Sequence, residues 1–121
     1  MAYEGEQFLW AYDAEATLPG QYEIVAKGTG NNQVTQAGAD VGFGVCINAP
    51  AAAGDQADVV VLGITKVKAG AAIATGVRFT SDSTGRAVAA NLAAEETVGV
   101  TIGGVANADE LVPVVICGGT Y

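Results

Sequence analysis

From Gln21 onward the chain is a succession of short apolar runs, each closed by a cluster of turn-forming residues. Runs of roughly four to eight residues between turn signals suit strands, and this punctuation constrains the fold more than any other feature. Tyr22-Glu23-Ile24-Val25-Ala26-Lys27 reads as one strand, followed by the turn-rich Gly28-Thr29-Gly30-Asn31-Asn32. Val41 to Ile47 reads as the next, then an Ala/Pro/Gly loop from Asn48 to Gly54. Asp58 to Val67 is the clearest strand, and its Val-Val-Val-Leu-Gly-Ile run predicts burial on both faces. Further strands are expected at Ala71–Ile73, Val77–Thr80, Arg86–Ala89, Val98–Ile102 and Leu111–Cys117. The Ala-rich stretch Arg86 to Glu96 also admits a short helix, because Val88 and Leu92 sit four apart. The whole predicts a mostly-β fold, a small β-barrel or β-sandwich of tulip-like type.

The core available to such a fold is thin. Ala and Gly make up about a third of the 121 residues, against five Leu, three Phe and one Trp. At about 0.8 kcal/mol per buried methylene, Val, Ala and Thr gain less than Leu and Phe. A subunit built this way is expected to gain stability by burying area against copies of itself or a partner.

Residues 1–20 differ from the rest. They carry Tyr3, Phe8, Trp10 and Tyr12 with Glu4, Glu6, Asp13 and Glu15, have no Lys or Arg, and end in the turn signal Leu18-Pro19-Gly20. The expected organisation is an N-terminal aromatic arm over 1–20 and a β-rich body over 21–121. Two uses suit the arm: docking onto another surface, since Tyr and Trp dominate interface cores, or folding back as a lid over its own thin core. Within the body, Val41…Ile47, Asp55 and Val59–Gly63 are echoed by Val98…Ile102, Asp109 and Val114–Gly118. Each unit reads as a β-hairpin, by duplication or by coincidence in a Val/Gly-rich chain.

Chemistry is scarce. The chain has no His, which removes Ser-His-Asp and Cys-His arrangements and the commonest transition-metal ligand. Two isolated cysteines do not make a structural zinc site. Glu95-Glu96 and Asp109-Glu110 are adjacent acids, and neighbours in a strand point to opposite faces. Gly28-Thr29-Gly30 and Gly42-Phe43-Gly44 do not complete a phosphate-binding glycine motif. Ser81-Asp82-Ser83-Thr84-Gly85-Arg86 has the oxygens for calcium but not the acid count, and reads as a hairpin turn. No catalytic residue, metal site or cofactor is therefore expected. The net charge of −8, with five scattered cations, argues against nucleic acid as a partner. No apolar run approaches the ~20 residues of a membrane span, and no secretory signal precedes Cys46 and Cys117. The two cysteines permit a disulfide, but both sit in sequence that reads as buried strand, so reduced, structural thiols are expected.

Three blocks carry a resemblance: Ala57-Asp58-Val59-Val60-Val61-Leu62-Gly63-Ile64-Thr65-Lys66-Val67-Lys68-Ala69-Gly70; Gly76-Val77-Arg78-Phe79-Thr80-Ser81-Asp82-Ser83-Thr84-Gly85-Arg86-Ala87-Val88; and Val98-Gly99-Val100-Thr101-Ile102 with Asp109 to Ile116. In this order and spacing the segment from about Asp40 to Gly118 resembles the small capsid cement, or head decoration, proteins of tailed bacteriophages. The resemblance implies a structural virion protein, assembled in the host cytoplasm. Such a protein sits on the outer capsid surface, commonly as a homotrimer, and clamps neighbouring major capsid subunits. It does not cover residues 1–40. There the sequence offers Phe8, Trp10 and Tyr12 as the residues expected to anchor the capsid or a neighbouring subunit. A head-fibre base or a tail accessory protein is the alternative. Lys66 to Gly76 also resembles the rhythm of biotinyl and lipoyl carrier domains. The turn Ser81–Arg86 lacks the acceptor Lys those require.

Overall fold

The computed structural model describes residues 7–15, 21–50, 52–90 and 96–120, which form nine strands and no helix. In chain order they are β1 (Gln7–Ala14), β2 (Glu23–Lys27), β3 (Gln33–Gln36), β4 (Gly44–Cys46), β5 (Gln56–Lys68), β6 (Arg78–Ser81), β7 (Ala87–Ala89), β8 (Glu96–Thr101) and β9 (Leu111–Thr120). β1 lies antiparallel to β5 from Gln7↔Gly63 to Asp13↔Gln56, and parallel to β3 at Asp13↔Gln33 and Ala14↔Val34. With the antiparallel pairs β3–β2, β2–β4 and β4–β5, these contacts close a five-stranded barrel. β5 outruns that barrel. Its second half, Gly63 to Lys68, pairs with β9, and the sheet continues through β8 and β6 to β7.

Two cores follow from this path. Every barrel strand sends a small side chain inward: Ala14, Val25, Val34, Cys46, Ala57 and Val59, with Tyr12, Phe43 and Val61 packed around them. The second core joins Ile24, Val45 and Val60 to Val67, Phe79, Val98, Val112, Val114 and Ile116. β2, β4 and β5 are thus a wall shared by both cores. Consecutive residues Ile24/Val25, Val45/Cys46 and Val59/Val60 point to opposite sides of it, and none is more than 1% exposed. This is why the Val-Val-Val run shows no alternation: both faces of β5 are covered there. Phe79 is the largest fully buried side chain among the described residues, so the core is as thin as the composition predicts.

Several boundaries move. Val41 to Ile47 contributes only the short β4, because Asp40 and Gly42 have φ of +65° and +138° and bend the chain before it. Ala71–Ile73 supplies a single bridge, Ile73↔Val105. The helical reading of Arg86 to Glu96 fails over 86–90. Ala87–Ala89 pairs with β6, and the Ala87 side chain is buried in the second core. Residues 91–95 lie outside the described residues. Both echoing units are hairpins, β4–β5 and β8–β9, and they meet along the antiparallel β5–β9 seam. In the segment read as an arm, Gln7–Ala14 is strand β1, whereas the Leu18-Pro19-Gly20 turn lies outside the described residues.

The cysteines differ from each other. Both are free thiols, but only Cys46 is buried; Cys117 is exposed. The expectation that both lie in the core is corrected by the period of β9, whose even-numbered Val112, Val114 and Ile116 face inward and leave Cys117 outside. Burial pushes the Cys46 thiol above its ordinary pKa, and the group lies against the carbonyl of Asn48 at 3.1 Å. A thiol reagent at neutral pH is therefore expected to label Cys117 within minutes and Cys46 only on unfolding. Two equally fast thiols in the native protein would contradict this placement.

Candidate docking surface

Among the described residues, the large exposed apolar side chains concentrate on β1. Phe8, Leu9 and Trp10 are 67%, 48% and 59% exposed, and Leu62 on the neighbouring strand is 48% exposed. Three consecutive open apolar residues in a strand mean that both of its faces are free of the protein's own core. The cause is topological. Among the described residues β3 pairs with β1 only at Asp13 and Ala14, so the earlier part of β1 has β5 as its one strand partner there.

A bulge sets which residues meet. Leu9 pairs with Val60, but the next pair is Phe8↔Leu62, so β5 carries one extra residue there. Phe8 is therefore opposite the exposed Leu62 rather than the half-buried Val61. Trp10 leans on the β2–β3 turn, its indole N–H donating to Asn32 Oδ1 at 3.3 Å, while the Asn32 amide donates to the Ala11 carbonyl at 3.3 Å. Glu15 fastens the end of the strand to the same turn. The Thr29 N–H donates to its Oε1 at 2.6 Å and holds its pKa below the ordinary carboxylate value, helped by the Thr29 hydroxyl.

Tyr12 has a different setting. It is half-buried, edge-on to Phe43 with ring centroids 5.7 Å apart at 71°, and packs against the barrel core. The three aromatics expected to act together are thus brought onto one strand, with Phe8 and Trp10 outside and Tyr12 turned into the barrel. Leu9 and Leu62 belong to the surface and were not anticipated. Leu9 stands between the two aromatics and could have been included, whereas Leu62 is placed by the bulge, which leaves no local signal. The other large exposed apolar residues among those described, Val41, Ile102 and Leu111, lie apart from one another in the chain and from β1. Among the described residues no three His, Cys, Asp or Glu side chains converge. The surface has the means to bind, through apolar area and open strand backbone.

A family model described as phage cement protein matches residues 16–116 of this chain. The chain belongs to the phage cement protein family, and so to the structural proteins of the phage virion. In its fold it is similar to the N base of the head fibre gp8.5 of bacteriophage phi29. The TM-score is 0.73 at 20% sequence identity, covering 93% of this chain and 95% of that one. Comparison with curated proteins gives no match. β1 precedes the matched span and Leu62 lies within it, so the exposed apolar surface straddles its boundary.

Proposed function

We propose that this chain coats the outside of its phage's capsid as a homotrimer, and that β1 with Leu62 is its grip on the major capsid protein. The trimer assembles in the host cytoplasm and acts by contact alone, without catalysis and without binding nucleic acid or membrane. The observation that carries this reading is the unbroken exposure of Phe8, Leu9 and Trp10 opposite Leu62. Cement needs many modest contacts repeated over a lattice, where the effects of each subunit add. Buried aromatic anchors supply most of such binding energy, about 2 kcal/mol or more apiece.

The test replaces Phe8 and Trp10 with Ala and leaves Tyr12, whose loss would disturb the barrel core. Occupancy on undecorated capsids is expected to require on the order of 1,000-fold more protein, with an unchanged melting temperature. Wild-type occupancy by the double variant would sink this assignment of the surface. Light scattering checks the trimer, which should have three times the 12.1 kDa subunit mass. A second reading, a base that carries a head fibre, is favoured by the likeness to the phi29 protein. It predicts fibres attached to decorated particles in electron micrographs, whereas cement predicts bare particles that resist heating better than undecorated ones.

A further inference from the structure

We infer that β1 holds its partner by strand addition, pairing its open edge with an extended, Lys/Arg-bearing segment of the capsid shell. This rests on the capsid-binding reading and specifies how the contact is made.

Strand parity identifies the free groups. The Asp13 N–H donates to the Asn32 carbonyl and the Glu15 N–H to the Val34 carbonyl, so the odd-numbered residues of β1 direct their N–H and C=O groups away from β5. The Ala14 N–H donates to the Asp55 carbonyl, which sets the even-numbered residues toward β5. The Ala11 carbonyl, also on the outer edge, is taken by the Asn32 amide. Among the described residues, nothing pairs with the outward Leu9 N–H, Leu9 C=O or Ala11 N–H. Native sheets usually cover such an edge or arm it with Lys, Pro or a charge. This one carries Leu9 between Phe8 and Trp10. An added strand would bond to the backbone of Leu9 and Ala11 while its side chains met the exposed apolar ones, as in edge-strand recognition generally.

Charge selects the occupant. Asp13 and Glu15 follow this stretch of β1, and Asp55 and Asp58 lie at the adjoining end of β5. Neither β1 nor β5 up to Gly63 has a Lys or Arg. Four of the five cations, Lys66, Lys68, Arg78 and Arg86, lie on the other half of the molecule, and only Lys27 stands near Glu15. A second copy of β1 would add another acidic segment to one that already lacks a cation, whereas a basic strand is complementary.

Amide hydrogen exchange on the wild-type protein, free and bound to undecorated capsids of its phage, tests this directly. Exchange at Leu9 and Ala11 is expected to slow at least about 100-fold on binding, with little change at Trp10 and Tyr12, which already face β5. Leu9→Pro, which removes the outward N–H but no bond to β5, is expected to bind at least about tenfold more weakly than Leu9→Ala. Binding should also weaken as salt rises. If the protein binds but the Leu9 and Ala11 amides exchange as before, strand addition is wrong and capsid binding stands. Slowing in concentrated protein without capsids would make a second copy the occupant and overturn the inference. Failure of the wild type to bind capsids at all would remove the cement reading itself.

Discussion

Replacement of Gly99 by alanine is expected to remove about 4 kcal/mol of stability, most of what a small domain has. Gly99 sits in β8 between two partners, opposite Ile116 of β9 and Phe79 of β6, beside the register shift at Thr97/Gly99. A Cβ there would collide with the Val115 carbonyl oxygen and meet the Val115 carbonyl carbon at 2.8 Å and the Ile116 Cα at 3.0 Å. All three are backbone atoms of the paired strand, so no rotamer change relieves the overlap, and β9 must move away. β9 supplies Val112, Val114 and Ile116 to the second core, so its displacement opens that core as well. A cost of that size belongs to this class of change. Gly38→Ala is the matched comparison, since a Cβ there meets nothing within 4 Å. It is expected to stay within about 0.5 kcal/mol of wild type. Urea unfolding of the two variants checks both statements, and equal midpoints would mean that β8 and β9 do not approach so closely.

The close approach at Gly99 marks the limit of what one sequence discloses. Strands with one or two apolar faces announced themselves. The Val run of β5 marked a strand whose two faces are both buried at Val59 and Val60, though Val61 and Ile64 are half-buried and Leu62 is exposed. The Val/Gly hairpins of β4–β5 and β8–β9 were visible as an internal echo. β3 was invisible because Gln33, Thr35 and Gln36 surround one inward residue, Val34. β1 lacks polar–apolar alternation because half of it serves no core of its own, so Phe8 and Trp10 stood out as aromatics before they could be placed on a strand. Closure of the barrel depends on the pairing of β1 with β5, about fifty residues away in sequence. Local periodicity carries no record of that. The partnership of Phe8 with Leu62 needs both the pairing and its bulge, so only the first half of the candidate surface could be read beforehand.

Asp82→Ala is expected to cost about 3 kcal/mol and to loosen the joint between the two halves of the fold. Asp82 Oδ1 accepts the N–H groups of Thr84 at 2.8 Å and Arg86 at 2.9 Å, and its Oδ2 accepts Arg86 Nε at 3.1 Å. These bonds shape the β6–β7 turn, whose Gly85 has φ of +80°. The turn in turn grips the barrel wall: the Gly85 carbonyl accepts the Ile24 N–H at 2.7 Å, and the Thr84 carbonyl accepts the Gln36 amide at 2.9 Å. Without the carboxylate, two turn N–H groups lose their acceptor, and Arg86 keeps Asp109 at 3.2 Å and the Thr84 hydroxyl at 3.1 Å. Asp82→Asn retains an acceptor oxygen and is expected to cost about 1 kcal/mol. Acid should separate these variants from the wild type. Burial by itself would raise the Asp82 pKa, but the Arg86 and Thr84 N–H groups, the Thr84 hydroxyl and the Arg86 charge outweigh it and hold the folded value below the ordinary one. The unfolded chain then takes up the proton first as pH falls. The stabilisation is complete above about pH 5 and is lost as pH drops through about 4 toward the folded value. Wild-type urea midpoints are therefore expected to fall more between pH 6 and pH 3 than those of Asp82→Asn, which has no proton to gain there. Parallel declines in the two proteins would mean that the turn does not hold Asp82 in its charged form.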